Sequence, residues 1–165
     1  MKLKFKEILA FIIGAIAAAV LTYKLKPKTI VLPDIPKPVI RREVCFAELA
    51  NHLRELFPFA YIQLSDSVKY LCDIDDINTF LKQDATDRIK YIKERYDCDD
   101  FAYRLKGQFS IPGWAELAIG IIWTKTHAQN CVVDANLDFW VIEPQNDNLM
   151  GVDYLEDKNV RFIII

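Results

Sequence analysis

The stretch HAQNCVVDANLDFWVIE, residues 127–143, reads as two extended segments around a turn. Its apolar positions are Val, Ile and aromatics, and Ala135-Asn136-Leu137-Asp138 between them is turn-forming. In an antiparallel hairpin turning near Asn136, the start of the first strand and the end of the second lie side by side. His127 and Glu143 are about equally far from that turn, so the hairpin brings an imidazole to a carboxylate.

The segments on either side of this hairpin have the same character. Residues 115–123 and 159–165 are also rich in Val, Ile and aromatics, and the last third of the chain therefore reads as an antiparallel sheet. Upstream, the periodicity is helical. Residues 43–57 place Cys45, Leu49, Leu53 and Leu56 on one face, and Pro58 ends the run. Residues 61–64 form a short extended piece, 73–81 a second helix, and 87–96 a third with Ile89, Ile92 and Tyr96 on one side. Phe101, Leu105 and Phe109 then repeat every four residues, predicting a helix that starts near Cys98. Asp97 is its N-cap, and Asp99 and Asp100 supply an acid-rich first turn. Ser110-Ile111-Pro112-Gly113 breaks it. Helices first and strands second give an α+β fold class.

The chain has 165 residues, enough for one domain with its own core. It carries 21 basic and 23 acidic residues, so no basic face for nucleic acid is expected. Its aromatic share excludes disorder as the general state. Residues 8–23 are an uncharged apolar run flanked by Lys2, Lys4 and Lys6 before and Lys24, Lys26 and Lys28 after. A spanning helix needs about 20 apolar residues, which Phe5 and Leu25 help to supply. The reading is a single-pass membrane anchor over residues 1–25. The competing reading is a signal peptide cleaved at Ala15-Ile16-Ala17 or Ala17-Ala18-Ala19. Lysines at both ends leave the side of the membrane undetermined. Pro27, Pro33, Pro36 and Pro38 make residues 26–42 a linker, followed by a folded domain over 43–165.

Cys45, Cys72, Cys98 and Cys131 lack the C-x-x-C spacing of a zinc or redox motif. Cys45, Cys72 and Cys131 are expected as small buried residues, with a disulfide among them open only outside a reducing compartment. Cys98 differs, because the first-turn N–H groups of a helix stabilise a thiolate. Asp99 and Asp100 act against this, since like charges disfavour the anion. An imidazolium has to offset them, and His52 lies in the early helix, which leaves His127 as the base and Glu143 as its orienting carboxylate.

These segments resemble the transglutaminase-like branch of the papain-like cysteine hydrolases. The resemblance rests on Cys98-Asp99-Asp100-Phe101-Ala102, then Ser110-Ile111-Pro112, then His127-Ala128-Gln129-Asn130-Cys131-Val132, then Trp140-Val141-Ile142-Glu143-Pro144. It covers roughly residues 91–145. It implies a transglutaminase-like core with Cys98 as nucleophile, His127 as base and Glu143 as orienting group. Asp99, Asp100, Asn130 and Gln145 are supporting candidates. Glu143 stands where that family has Asp, and Gln129 replaces an aromatic residue. The Glu-Pro-Gln ending suggests a phage or prokaryotic subgroup.

Two functions follow. One is a membrane-anchored thiol-dependent hydrolase or acyltransferase acting on amide bonds of a peptide or peptidoglycan substrate, with no cofactor. The other is a non-catalytic module on the same scaffold, with Asp97, Asp99, Asp100, His127 and Glu143 holding a metal ion or a glycan. Asp73-Ile74-Asp75-Asp76 looks like the start of a calcium loop. Asn78 stands where an EF-hand needs glycine, so a helix N-terminus rich in acids explains it better.

Overall fold

The computed structural model describes residues 35–165 except 156. Along the chain the elements are β1 (Ile40–Cys45), α1 (Phe46–Leu56), β2 (Tyr61–Gln63), β3 (Val68–Cys72), α2 (Ile74–Leu81), a 3₁₀ turn (Thr86–Arg88) and α3 (Cys98–Gln108). After them come β4 (Ile119–Trp123), β5 (Ala128–Val133), β6 (Phe139–Glu143), β7 (Asn148–Gly151), a second 3₁₀ turn (Val152–Tyr154) and β8 (Phe162–Ile164).

Six strands form the main sheet in the order β2-β8-β4-β5-β6-β7, and β1 pairs with β3 in a separate two-stranded sheet. The hairpin of β5 and β6 forms as its sequence predicts, with Asn130 opposite Ile142 and Val133 opposite Phe139. Asp134 builds its turn by accepting the backbone N–H groups of Asn136 and Asp138 through Oδ1, while its Oδ2 takes the Trp140 indole N–H.

β8 is inserted between β2 and β4, parallel to the first and antiparallel to the second. Gly120 permits this approach. A Cβ on that residue would stand 1.9 Å from the Ile164 carbonyl oxygen.

The period-two alternation of the strands sends side chains to two cores. On one face Ile122, Cys131, Val133, Val141 and Ile163 pack with Leu49, Ala50 and Leu53 of α1. On the other, Ile119, Val132 and Ile142 pack with Ile77, Phe80, Leu105, Phe109 and Trp114 from α2, α3 and the segment after α3. Phe80 stacks on Phe109 with centroids 3.9 Å apart. The Pro36 carbonyl accepts the Trp114 indole N–H at 3.2 Å, which ties the proline-containing segment to this second core.

Several expectations need correction. The order is not helices followed by a sheet: strands β1 to β3 interleave with α1 and α2, and the described chain is built mainly on sheet. The helix expected from residue 43 is strand up to Cys45, where β3 supplies a pairing partner. The helix expected over 87–96 does not form. Ile92 and Tyr96 exchange backbone hydrogen bonds across a tight turn, and Glu94 sits at φ +59°, outside the helical region. β3 and β7 were not anticipated.

No helix among the described residues is long and apolar enough to cross a membrane. The single-pass membrane location expected from residues 8–23 therefore finds no support among the described residues, and that run itself lies outside them. All four cysteines are free, and Cys45 is exposed rather than buried.

Candidate functional site

His127 and Glu143 meet across the β5–β6 hairpin, as its sequence predicts. His127 directly precedes β5, Glu143 ends β6, and Nε2 of the ring lies 2.7 Å from Glu143 Oε2. The same carboxylate oxygen accepts the Gln129 side-chain N–H at 3.0 Å, and Oε1 accepts the Gln145 backbone N–H at 3.3 Å. Burial alone would raise the Glu143 pKa. The hydrogen bond and charge of His127, with the Gln145 and Gln129 donors, outweigh it and hold the carboxyl below its ordinary value. Tying Nε2 to a carboxylate fixes the tautomer with the proton on Nε2 and makes Nδ1 the basic nitrogen.

Thr124 holds the other end of the imidazole's support. Its buried hydroxyl accepts the His127 backbone N–H at 3.1 Å and donates to the His127 carbonyl at 3.2 Å. Neither Thr124 nor Gln129 was anticipated as part of the site. A Thr three residues before the His is the signal of a hydroxyl-built turn. Gln129, in β5 two residues after His127, lies on the side of the sheet that Glu143 of β6 occupies.

Cys98 is the first residue of α3 and is half-buried. Its side chain packs with Trp123 against Ala102, Ile121 and Ala128, so it lies beside the start of β5. Asp97 and Asp100 cap this helix reciprocally, the Asp97 backbone N–H donating to Asp100 Oδ2 at 3.2 Å. Asp97 Oδ2 also accepts the Glu94 backbone N–H at 3.0 Å. The Asp99 pKa is raised, first by its hydrogen bond with Asp97 and then by burial.

The supporting candidates thus divide. Asp100 is a capping group. Asn130 is a brace: its side-chain N–H groups donate to the Ala102 carbonyl at 2.9 Å and the Gly120 carbonyl at 3.2 Å, joining α3 to the sheet. Gln145 reaches Glu143 through its backbone. Of the five residues expected to hold a ligand, Asp97 and Asp99 bring ligand atoms within 4.8 Å of one another and of Cys98, and His127 pairs with Glu143. Cys72 and Cys131 take no part, because burial pushes both thiols up to about 12.

A cavity of about 270 Å³ opens beside the His127–Glu143 pair. Thr124, Thr126 and Gln129 line it from the β4–β5 side, and Asn146, Asn148 and Met150 from the β6–β7 side. The loop after β7 closes it with Tyr154, Leu155 and Asp157. Asp157 is locked in place: Oδ1 accepts the Asn159 backbone and side-chain N–H groups, and Oδ2 accepts Lys125 N–H and the Thr126 hydroxyl. Those donors, with the Asn159 backbone first, bring its carboxyl down to about 2.

No family model matches the chain, and no curated protein matches it. Solved structures do. One, described as a "PSL1a-E64 complex", superposes with a TM-score of 0.63 at 21% identity, covering 74% of this chain and 51% of that one. Another is Polyporus squamosus lectin bound to Neu5Aca2-6Galb1-4GlcNAc, with a TM-score of 0.56 at 19% identity, covering 70% of this chain and 48% of that one.

These findings correct the transglutaminase-like assignment and the papain-like cysteine-hydrolase family expectation that came with it. The motifs behind it are short, and each has a local cause: a capped helix start, the first residues of a strand, and a strand ending at Pro144. The chain spans about half the length of the solved structures it matches, and its fold is similar to theirs over that part.

Proposed function

We propose that the cavity beside His127 and Glu143 binds a saccharide, and that the domain is a glycan-binding module. The observation that carries this is the chemistry of its lining. Hydroxyls of Thr126 and Tyr154, amides of Gln129, Asn146 and Asn148, the His127 ring and the Asp157 carboxylate converge on one opening. Such a set offers donors and acceptors at every edge of a polyhydroxylated ring, while Met150 and the Tyr154 ring give it an apolar wall. The fold likeness to a lectin bound to Neu5Aca2-6Galb1-4GlcNAc supports the same class of ligand. Glycan titration followed by calorimetry tests it. Saturable binding that is lost in Asn148→Ala supports the reading, and no heat with any glycan overturns it.

A second reading is favoured by one observation, the 2.7 Å His127–Glu143 pair beside a cysteine at a helix start. In it the Cys98 sulfur attacks an amide carbonyl carbon, and an S–C bond forms as the C–N bond breaks. The thiol proton, taken by His127, passes to the leaving amine. Water then adds to the thioester, the C–S bond breaks and the thiol regains its proton. Iodoacetamide labelling separates the two readings. Selective, rapid alkylation of Cys98 that falls in His127→Ala supports the thiol reading, and a Cys98 no faster than the exposed Cys45 removes it.

A further inference from the structure

A second hollow, of about 440 Å³, opens where the end of α1 meets the segment before β8. No residue lines both this hollow and the cavity beside His127. One wall is apolar. Phe57 is buried edge-on against Phe139 with centroids 4.9 Å apart, and Val160 is buried in the same core. Leu56 is 37% exposed and Phe59 is 96% exposed, so two large side chains meet water at the rim. The other wall is cationic and carries Lys158 and Arg161. Ile163 faces the core under α1, and Arg161, two residues earlier, falls on that same side. Backbone hydrogen bonds fix both walls. Ala60 N–H donates to the Phe57 carbonyl at 3.1 Å, Tyr61 N–H to the Arg161 carbonyl at 2.9 Å, and Arg161 N–H to the Trp123 carbonyl at 2.8 Å.

We propose that this hollow binds an apolar carboxylate: a small organic acid whose body packs on Leu56 and Phe59 and whose head meets Arg161 and Lys158. Charge complementarity selects that occupant. Lys158 and Arg161 are the charged residues of the lining, and no acid faces them from it. The chain as a whole has net charge −2, so the positive sign is local to this hollow. The Arg161 guanidinium makes no ion pair among the described residues. Its planar fork is therefore available to a carboxylate through two parallel N–H donors. Lys158 Nζ donates to the Val152 carbonyl at 3.0 Å and the Asp153 carbonyl at 2.7 Å. An ammonium has three donors, so one remains, and two carbonyls hold the group in place without cancelling its charge. The volume falls within the ~300–1,000 Å³ of small-molecule sites, which pair apolar walls with a few placed polar groups. A neutral apolar ligand would leave both cations without a counter-charge, and nucleic acid would need a longer basic tract.

The test is two-dimensional ¹⁵N NMR of the full chain, titrated separately with octanoate, 1-octanol and octylammonium below their micelle concentrations. Wild type is compared with Arg161→Gln and Phe59→Ser, both at exposed positions. Unchanged amide signals in the rest of each variant's spectrum confirm that it folds. The expected result is saturable shifts with octanoate at Phe59, Ala60, Asn159 and Arg161, with an affinity roughly tenfold above that of 1-octanol. Octylammonium should leave these signals unmoved. Arg161→Gln should bring octanoate down to the level of 1-octanol, and Phe59→Ser should weaken the two alike. Equal affinity for octanoate and 1-octanol in the wild type, or octanoate binding untouched by Arg161→Gln, overturns the proposal. Octanoate shifts confined to other surfaces, or none at all, also overturn it. A concentration-dependent dimer broken by Phe59→Ser assigns the apolar rim to a second copy of the chain and overturns it as well. None of these outcomes bears on the cavity beside His127.

Discussion

Nε2 of His127 and Oε2 of Glu143 are 2.7 Å apart across 16 residues of sequence. The pair is made by the hairpin and steadied from both sides: Thr124 grips the His127 backbone, and Gln129 donates to the Glu143 carboxylate. Removing either support should disorder the pair without unfolding the sheet. Thr124→Val keeps the shape and loses the hydroxyl, so it should cost about 1–3 kcal/mol in denaturant melts. The His127 ring should also broaden or shift in NMR spectra. A sharp, unshifted ring signal would show that Thr124 does not position it.

The pair carries a pH dependence. Glu143 has a folded pKa below its unfolded value, so between the two the unfolded state binds more protons. Stability from this group is therefore complete above the ordinary carboxylate range and is lost as pH falls through the folded value. Asp157 acts in the same direction, over the window from 3.8 down to about 2. Melting temperature should fall as pH drops below about 4. In Glu143→Gln the fall should be shallower. An identical acid profile in the variant would remove Glu143 from the account.

Asp147 has the opposite sign. Burial first, then Asp87 and Asp84, raise its carboxyl to about 6, so its contribution is complete below the unfolded value and lost as pH rises through 6. Asp147→Asn should stabilise the protein at pH 7 by about 1 kcal/mol, discounted for the group's partial exposure. Asn also tolerates the backbone there, which sits at φ +57°. Equal melting temperatures for the two proteins at pH 7 would contradict this.

Gly120→Ala should be among the most damaging single substitutions, because its Cβ would meet the Ile164 carbonyl oxygen at 1.9 Å. Separating β8 from β4 removes Ile163 from the core, and a loss of about 3 kcal/mol or more is expected. Chemical denaturation measures it. Asn130→Ala removes the brace between α3 and the sheet, and about 1–3 kcal/mol is expected from the loss of two buried hydrogen bonds.

The sequence foretold the His127–Glu143 contact and the helix start at Cys98 better than the fold. Alternation and turn chemistry around Asn136 place His127 against Glu143, and the Asp97 cap places Cys98 at a helix start, because both are local features. What local pattern does not contain is partner choice. Residues 43–45 extend the helical periodicity of α1, yet pairing with β3 holds them as strand. Ile89, Ile92 and Tyr96 keep a helical spacing that Glu94 at positive φ interrupts. β7 is four residues with one β-branched neighbour at most, so only its pairing with β6 reveals it. The cavity was missed for the same reason, since its far wall comes from that strand and the loop after it.

The most direct measurement is two-dimensional ¹⁵N NMR of the full chain titrated with Neu5Aca2-6Galb1-4GlcNAc. The account predicts saturable shifts centred on Thr126, His127, Gln129, Asn148 and Tyr154, and their loss in Asn148→Ala. Shifts confined to other surfaces, or no shifts at saturating glycan, would contradict it.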